Sequence, residues 1–250
     1  MIYRTPDIEK KMMKSKVISV EYDRKNSNSE KFDSRNQYGN QAANIDFLEG
    51  THLLSQELQI LEIGCGCGGL LSHLRSQGLN AIGVEINREK VERGQEIYGP
   101  QPIEIVNSEV LPFEDNSFDI VLSFDVFEHI PDSDGHLQEV ARVLKPGGYY
   151  LLQTPNRITN VVFETIRWKS FTSWRSDHCS LHDYWGLNQR FTKNSFTKPQ
   201  FYDIPIVTDF FKTKIKRYLG PIGLVLLKLV NPDKLPLWLR TNFYVQTQKN

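Results

Sequence analysis

The sequence is short of cysteine, carries no excess of charge of either sign and has no long hydrophobic run. Its three cysteines, Cys65, Cys67 and Cys179, are an odd number in 250 residues. That excludes a disulfide-stapled scaffold and, with no secretory hydrophobic segment at the start, points to a reducing, cytoplasmic setting. Thirty Lys and Arg balance thirty Asp and Glu, so no global field favours nucleic acid or an acidic membrane as the main partner. No stretch reaches the roughly 20 apolar residues of a membrane span. The nearest, Gly223-Leu224-Val225-Leu226-Leu227-Lys228-Leu229-Val230, contains a lysine and runs into Asn231-Pro232. It reads as a buried or interfacial helix, with peripheral membrane contact through 219–230 the most it supports. Internal repeats are also lacking. These absences leave one sizeable α/β domain, with room for an insertion and a full core.

What is present is organised around Leu61-Glu62-Ile63-Gly64-Cys65-Gly66-Cys67-Gly68-Gly69. A short apolar run carrying one acid feeds a glycine cluster, and Leu70-Leu71-Ser72-His73-Leu74 opens a helical pattern. The order is strand, tight loop, helix, and glycine suits a loop whose backbone must approach a ligand closely. Gly64, Gly66 and Gly69 fit G-x-G-x-x-G, a weak signal by itself. Cys65-x-Cys67 has no matching second half for a metal site, so both cysteines read as small residues within the turn.

Apolar runs at 59–63, 81–85, 103–106, 118–124 and 149–153 alternate with helical stretches. Those stretches are 42–54, 70–77, one capped by Asn87 that runs to Tyr98, and one from Ser133 that Lys145-Pro146-Gly147-Gly148 ends. Such alternation predicts a Rossmann-like, doubly wound, mostly parallel sheet with helices on both faces. Ligands of such sheets bind at the carboxyl ends of the strands, where Gly64, Glu85, Asn107, Phe124 and Asp125 fall. After Thr154-Pro155-Asn156 the pattern breaks, and residues 157–200 read as irregular and aromatic-rich. The layout predicted is an N-terminal arm or lid at 1–40, a core at 41–156, an aromatic cap with helices at 157–240, and a closing strand of the core sheet at 241–250.

Further along stand Val84-Glu85, Leu111-Pro112-Phe113 with Asn116-Ser117-Phe118-Asp119, and Phe127-Glu128-His129-Ile130-Pro131-Asp132. Glu139-Val140-Ala141-Arg142-Val143-Leu144-Lys145-Pro146-Gly147-Gly148 and Thr154-Pro155-Asn156 follow. With the glycine stretch, this ordered set resembles the class I S-adenosylmethionine-dependent methyltransferases that act on small molecules, over about residues 59–156. The resemblance implies S-adenosylmethionine as cofactor, S-adenosylhomocysteine as product, and a small-molecule acceptor. It places the cofactor against Glu62, Gly64, Cys65, Gly66, Glu85, Ile86, Asn107, Ser108, Phe124 and Asp125.

Physical reading agrees at several of these positions. Glu85, 21 residues past Gly64, has two oxygens to accept from both ribose hydroxyls. The helix start near Gly69 offers N–H groups to the cofactor's carboxylate. Glu62 either meets the ammonium or braces the loop. Asn107 stands where the family commonly has an aspartate, and its uncharged oxygen accepts from the adenine at a cost of about 1 kcal/mol.

On the acceptor side His129, just past the fourth strand, is either a general base or a loop brace; His178 and His182 are the other candidate bases. Trp168, Trp174, Tyr184 and Trp185 are expected to wall the acceptor. The expected reaction is in-line displacement by an oxygen or nitrogen nucleophile. A quinone or lipid-precursor methyltransferase and a non-catalytic SAM-binding regulator are the alternatives. A nicotinamide dehydrogenase shares the glycine loop but does not need Glu62 or the 116–129 block. No metal is expected: Asp125 and Asn156 are candidate oxygen ligands, but no paired-acid motif accompanies them.

Overall fold

The computed structural model describes residues 39–106, 110–168, 178–207 and 209–250. Its elements are α1 (Gly39–Thr51), β1 (Gln59–Ile63), α2 (Gly69–Ser76), β2 (Asn80–Glu85), α3 (Arg88–Tyr98), β3 (Ile103–Ile105) and β4 (Phe118–Phe124). A 3-10 turn (Phe127–His129), α4 (Ser133–Val143), β5 (Leu144–Pro155), α5 (Arg157–Trp168), α6 (Tyr184–Lys193), β6 (Gln200–Tyr202), α7 (Asp209–Leu229) and β7 (Asn242–Gln248) follow.

The seven strands run β3-β2-β1-β4-β5-β7-β6. Only β7 is antiparallel to its neighbours, pairing β5 on one side and β6 on the other. The chain winds outward from β1 to β3, then restarts at β4 on β1's other side. The β1/β4 seam is therefore the topological switch point, and register pairs Ile63 with both Val84 and Ser123 there. Leu61, Val84, Val121, Leu152 and Val245 are buried in the sheet, and Leu137, Val140 and Val143 cover them from α4. That α4 stripe follows the i, i+3, i+6 spacing of one helix face, which is why the segment forms a helix rather than a strand.

The chain divides into two compact units. Leu53–Tyr202 with Leu235–Asn250 form the sheet unit; Asp203–Lys234 fall in the other with the residues up to His52. In this second unit α7 is two helices joined at Gly220, which adopts a left-handed φ of 62° just before Pro221. Proline fits the first turn of a helix and not its interior, so the break lies where the sequence demands it. Beyond it Ile222, Val225, Leu226, Leu229 and Val230 form one apolar face that is exposed.

Two expectations are corrected. The described residues of 157–200 are not irregular throughout, since they contain α5 and α6. Asp183 Oδ1 accepts from Gly186 N at 2.8 Å to cap α6, and Leu187 and Phe191 lie buried one turn apart. The density of aromatic residues hid that helical period. Likewise Lys145–Gly148 does not separate α4 from its strand. β5 begins at Leu144, its register slips between Phe118 and Ile120, and Lys145 Nζ holds Asp119 Oδ2 at 2.8 Å.

Candidate functional site

The glycine loop leaves β1 at the switch point. Gly64 N and Cys65 N both donate to Val84 O, at 2.8 and 3.1 Å. Gly64 is left-handed (φ 68°), and a Cβ there would come within 2.4 Å of Val126 Cγ2. Only glycine lets the turn after β4 pack so closely on this loop. Gly66 is also left-handed (φ 57°), but a Cβ there would meet nothing within 4 Å among the described residues. Its outer side is open. Cys65 and Cys67 form no disulfide, and burial beside Glu62 and Glu85 pushes the Cys65 thiol well above its usual range. Cys65 is thus a packing residue without nucleophilic character.

Two carboxylates bracket the loop. Glu85 Oε2 accepts from Gly66 N at 2.8 Å, while Oε1 accepts from Ile86 N at 3.0 Å and Asn87 N at 2.9 Å. Three of about four acceptor positions are taken, so a ligand hydroxyl shares this group with the loop instead of having it to itself. Ile86, next in the chain, is exposed. Glu62 is buried and takes a backbone hydrogen bond from Leu71, in the first turn of α2. Its Oε2 is buried without a hydrogen-bond partner. Burial first, then the charge of Glu85, raises its carboxyl to about 8.

The turn after β4 forms the facing wall. Phe124 is half-buried, and Asp125 is left-handed (φ 54°), with its N–H donating to Gln153 Oε1 at 3.0 Å. Gln153 Nε2, like Glu62 Oε2, is buried without a hydrogen-bond partner among the described residues. Glu128 is buried, accepts from Thr154 Oγ1 at 3.2 Å, and is raised to about 8 by burial and by Asp125. His129 is exposed, and its ring centroid lies 5.2 Å from that of His178. One potential ligand atom from each of Glu128, His129 and His178 falls within 4.8 Å of the others.

The structure brings His129 and His178 together, and His182 has partners of its own. His182 Nε2 lies 3.1 Å from Ser133 Oγ and 3.2 Å from Ser180 Oγ. Burial, with Arg190 and Arg157 nearby, lowers it to about 4, which keeps it neutral at neutral pH. Tyr184 packs on Phe201 at 4.6 Å and on Trp185 at 5.8 Å, whereas Trp185 is 59% exposed and 5.9 Å from Trp238. Asn107, Ser108 and Trp174 lie outside the described residues, as does the side chain of Trp168. Asn156 is a joint: Nδ2 donates to Trp238 O and Arg240 O, and Oδ1 accepts from Ile158 N to cap α5. Glu128 is the residue that sequence reasoning passed over. The signal was an acid inside an otherwise apolar turn, which burial without a reason would make costly.

A family model described as a methyltransferase domain matches residues 61–152. The phthiotriol/phenolphthiotriol dimycocerosates methyltransferase 1 of Mycobacterium ulcerans is 36% identical over 118 residues, 46% of this chain and 43% of that protein. The 2-methyl-6-phytyl-1,4-hydroquinone methyltransferase of Synechocystis is 32% identical over 123 residues, covering 45% and 39%. The matched stretch of the chain spans less than half the length of either relative. Among solved structures, the YcgJ protein of Bacillus subtilis is similar at a TM-score of 0.56 and 20% identity, over 83% of this chain and 98% of that one. A SAM-dependent methyltransferase from Mesorhizobium loti is similar at 0.54 and 15% identity, over 77% and 91%. At those identities the likeness is one of fold.

Proposed function

We propose, for a chain whose fold is that of the class I S-adenosylmethionine-dependent methyltransferases and whose cofactor is therefore S-adenosylmethionine, that it methylates an oxygen or nitrogen of a small biosynthetic intermediate. The observation that carries the reading is Gly66, left-handed, open on its outer side and tied by its N–H to Glu85 at the switch point. Around it the residues fit this cofactor. Glu85 keeps an acceptor position for the ribose, and the buried, unpartnered Glu62 oxygen suits the field of a cationic methionine moiety. Bound there, the cofactor supplies an activated methyl on a sulfonium centre.

The chain's own residues do the rest. The glycine loop and the turn carrying Val126 fix the cleft's two walls, so alignment and exclusion of water are the protein's main contributions. His129 is the group assigned to take the proton of an acceptor hydroxyl, with His178 beside it. Trp168, Trp174, Tyr184 and Trp185 remain the proposed acceptor walls, and Asn107 and Ser108 the proposed adenine contacts. We also assign the chain to the cytoplasm.

One observation favours a second acceptor class. The exposed face Ile222, Val225, Leu226, Leu229 and Val230 has the helical spacing of an interfacial segment, and the relatives' names include a phytyl hydroquinone. A quinone or lipid precursor taken from a membrane surface fits both. Incubation of metabolite and lipid extracts with isotope-labelled S-adenosylmethionine, followed by mass spectrometry, decides between the two. A labelled polar product supports the first reading and a labelled lipid the second. Cofactor binding with no labelled product in either extract leaves a SAM-binding regulator.

A further inference from the structure

We propose that Glu128, His129 and His178 bind one divalent first-row transition cation of the zinc class, with coordination positions open to an oxygen of the methyl acceptor. The part concerning the acceptor rests on the methyltransferase reading; the binding of the cation does not. The three ligand atoms lie within 4.8 Å of one another. Side-chain shifts of about 1 Å bring them onto a cation with bonds of about 2.0–2.2 Å. Two imidazoles and one carboxylate suit zinc or iron(II) better than magnesium, and three protein ligands leave room for water or a substrate oxygen.

The cluster is held from outside in the way such sites require. Ser180 N donates to the backbone oxygen of Glu128 at 2.9 Å, and Cys179 Sγ reaches the same oxygen at 3.7 Å. These contacts pin the stretch following His178 to the turn after β4. On α5, Asn160 Oδ1 lies 3.1 Å from His178 Nδ1. An amide oxygen can only accept, so this contact puts the ring hydrogen on Nδ1 and leaves the lone pair on Nε2, the tautomer with which His178 would bind a metal through Nε2. Thr154 Oγ1 fixes one oxygen of Glu128 in the same manner. Val126, in the same turn, touches the glycine loop at Gly64, which sets the cluster on the cofactor's side of the sheet. The expectation of a metal-free site rested on the missing paired acids. Here the donors converge from segments far apart in the chain, which no local motif reveals.

A cation so placed holds the acceptor oxygen and lowers its pKa, and the proton leaves to solvent. With the cation bound, His129 is a ligand, and this replaces the general-base role given to it in the reading without a metal. The test uses the full chain after chelator treatment, titrated with Zn²⁺ by calorimetry and with Co²⁺ by visible absorption. One site per chain is expected, with a cobalt spectrum of nitrogen and oxygen ligation. His129→Ala and His178→Ala should each weaken Zn²⁺ at least tenfold, and Asn160→Ala by about 10–100-fold. His129 is exposed, so its variant carries the test even where Glu128→Gln fails to fold. Equal Zn²⁺ affinity in both histidine variants and the wild type, or no binding to the wild type, overturns the proposal. S-adenosylhomocysteine binding is measured on the same samples. Its absence from the wild type overturns the methyltransferase reading and leaves the cation result standing.

Discussion

Glu62 makes cofactor binding a proton-releasing event. With its carboxyl raised to about 8, the free protein at pH 7 holds about nine protons per ten Glu62 side chains. A cofactor ammonium placed next to this low-dielectric site favours the carboxylate, so binding expels the proton. Affinity for S-adenosylhomocysteine should then rise up to about tenfold per pH unit from pH 6 towards 8, or about 1.4 kcal/mol per unit. Affinity falls again only where the ligand's own amine loses its charge, and in a free amino acid that lies above the roughly 7.7–8.0 of a chain terminus because the adjacent carboxylate holds the proton. The optimum therefore lies above pH 8. Glu62→Gln removes the acidic limb, since an amide has no proton to release, and leaves the basic one. Without ligand the sign reverses: the raised carboxyl costs nothing below its unfolded pKa and its full penalty above about 8. The Gln variant should thus be the more stable protein at pH 8.5 and no better at pH 4. Calorimetry in buffers of different ionisation enthalpy counts the proton directly. A wild-type affinity flat from pH 6 to 8, with no proton released, would refute the coupling.

Glu85→Ala should weaken S-adenosylhomocysteine by about 1.5–3 kcal/mol and also lower the melting temperature of the free protein, because three backbone N–H groups lose their acceptor; calorimetry should find no NAD binding in either protein. Arg142→Lys should cost about 2 kcal/mol, or about 4–8 °C in a thermal melt. The guanidinium makes five bonds, to both Glu139 oxygens, Asp115 and the carbonyls of Leu111 and Phe113, which one ammonium cannot replace. His136 is buried against Tyr150 and, like His182, lowered to about 4 by burial. Both stay neutral in the fold while the unfolded chain protonates, so stability should fall as pH drops from about 6.5 to 4. His136→Phe should reduce that slope in denaturant melts by up to about 1.4 kcal/mol per pH unit.

The alternation of strands and helices was legible because β1, β2 and β4 are short, largely apolar runs with a glycine or an acid at or just past their ends. Arg142 explains why two of the quoted motifs occur together. Leu111-Pro112-Phe113 is a connection without regular structure, and the arginine of the Glu139–Gly148 motif satisfies its carbonyls. What stayed hidden depended on contacts between distant segments. The helices α5 and α6 owe their starts to Asn156 and Asp183 side chains, single residues that resemble any loop asparagine or aspartate. Glu85 read as a ribose ligand because an acid at a strand end suggests one. That it also ties down Gly66 needs the loop folded back across the sheet. The pairing of His129 with His178 needs Cys179 and Ser180 to lie against Glu128, and no period in the sequence encodes that contact.

The same two acids explain why this glycine loop should take a cationic cofactor in place of a dinucleotide. A pyrophosphate cradle needs loop N–H groups aimed at an anion and no negative charge behind them. Here Gly66 N is already given to Glu85, and Glu62 takes the backbone hydrogen bond from Leu71 at the start of α2. Glu62 and Glu85 raise each other's field enough for Glu85 to count among the causes that lift Glu62. An incoming diphosphate would gain nothing from a protonated Glu62 and would meet the charge of Glu85 in a buried setting, where charge interactions are screened least. An ammonium instead displaces the Glu62 proton and gains a second carboxylate. The discrimination lies in the charge behind the glycines, and a mutation that neutralises both acids removes the barrier to an anion without altering a single glycine.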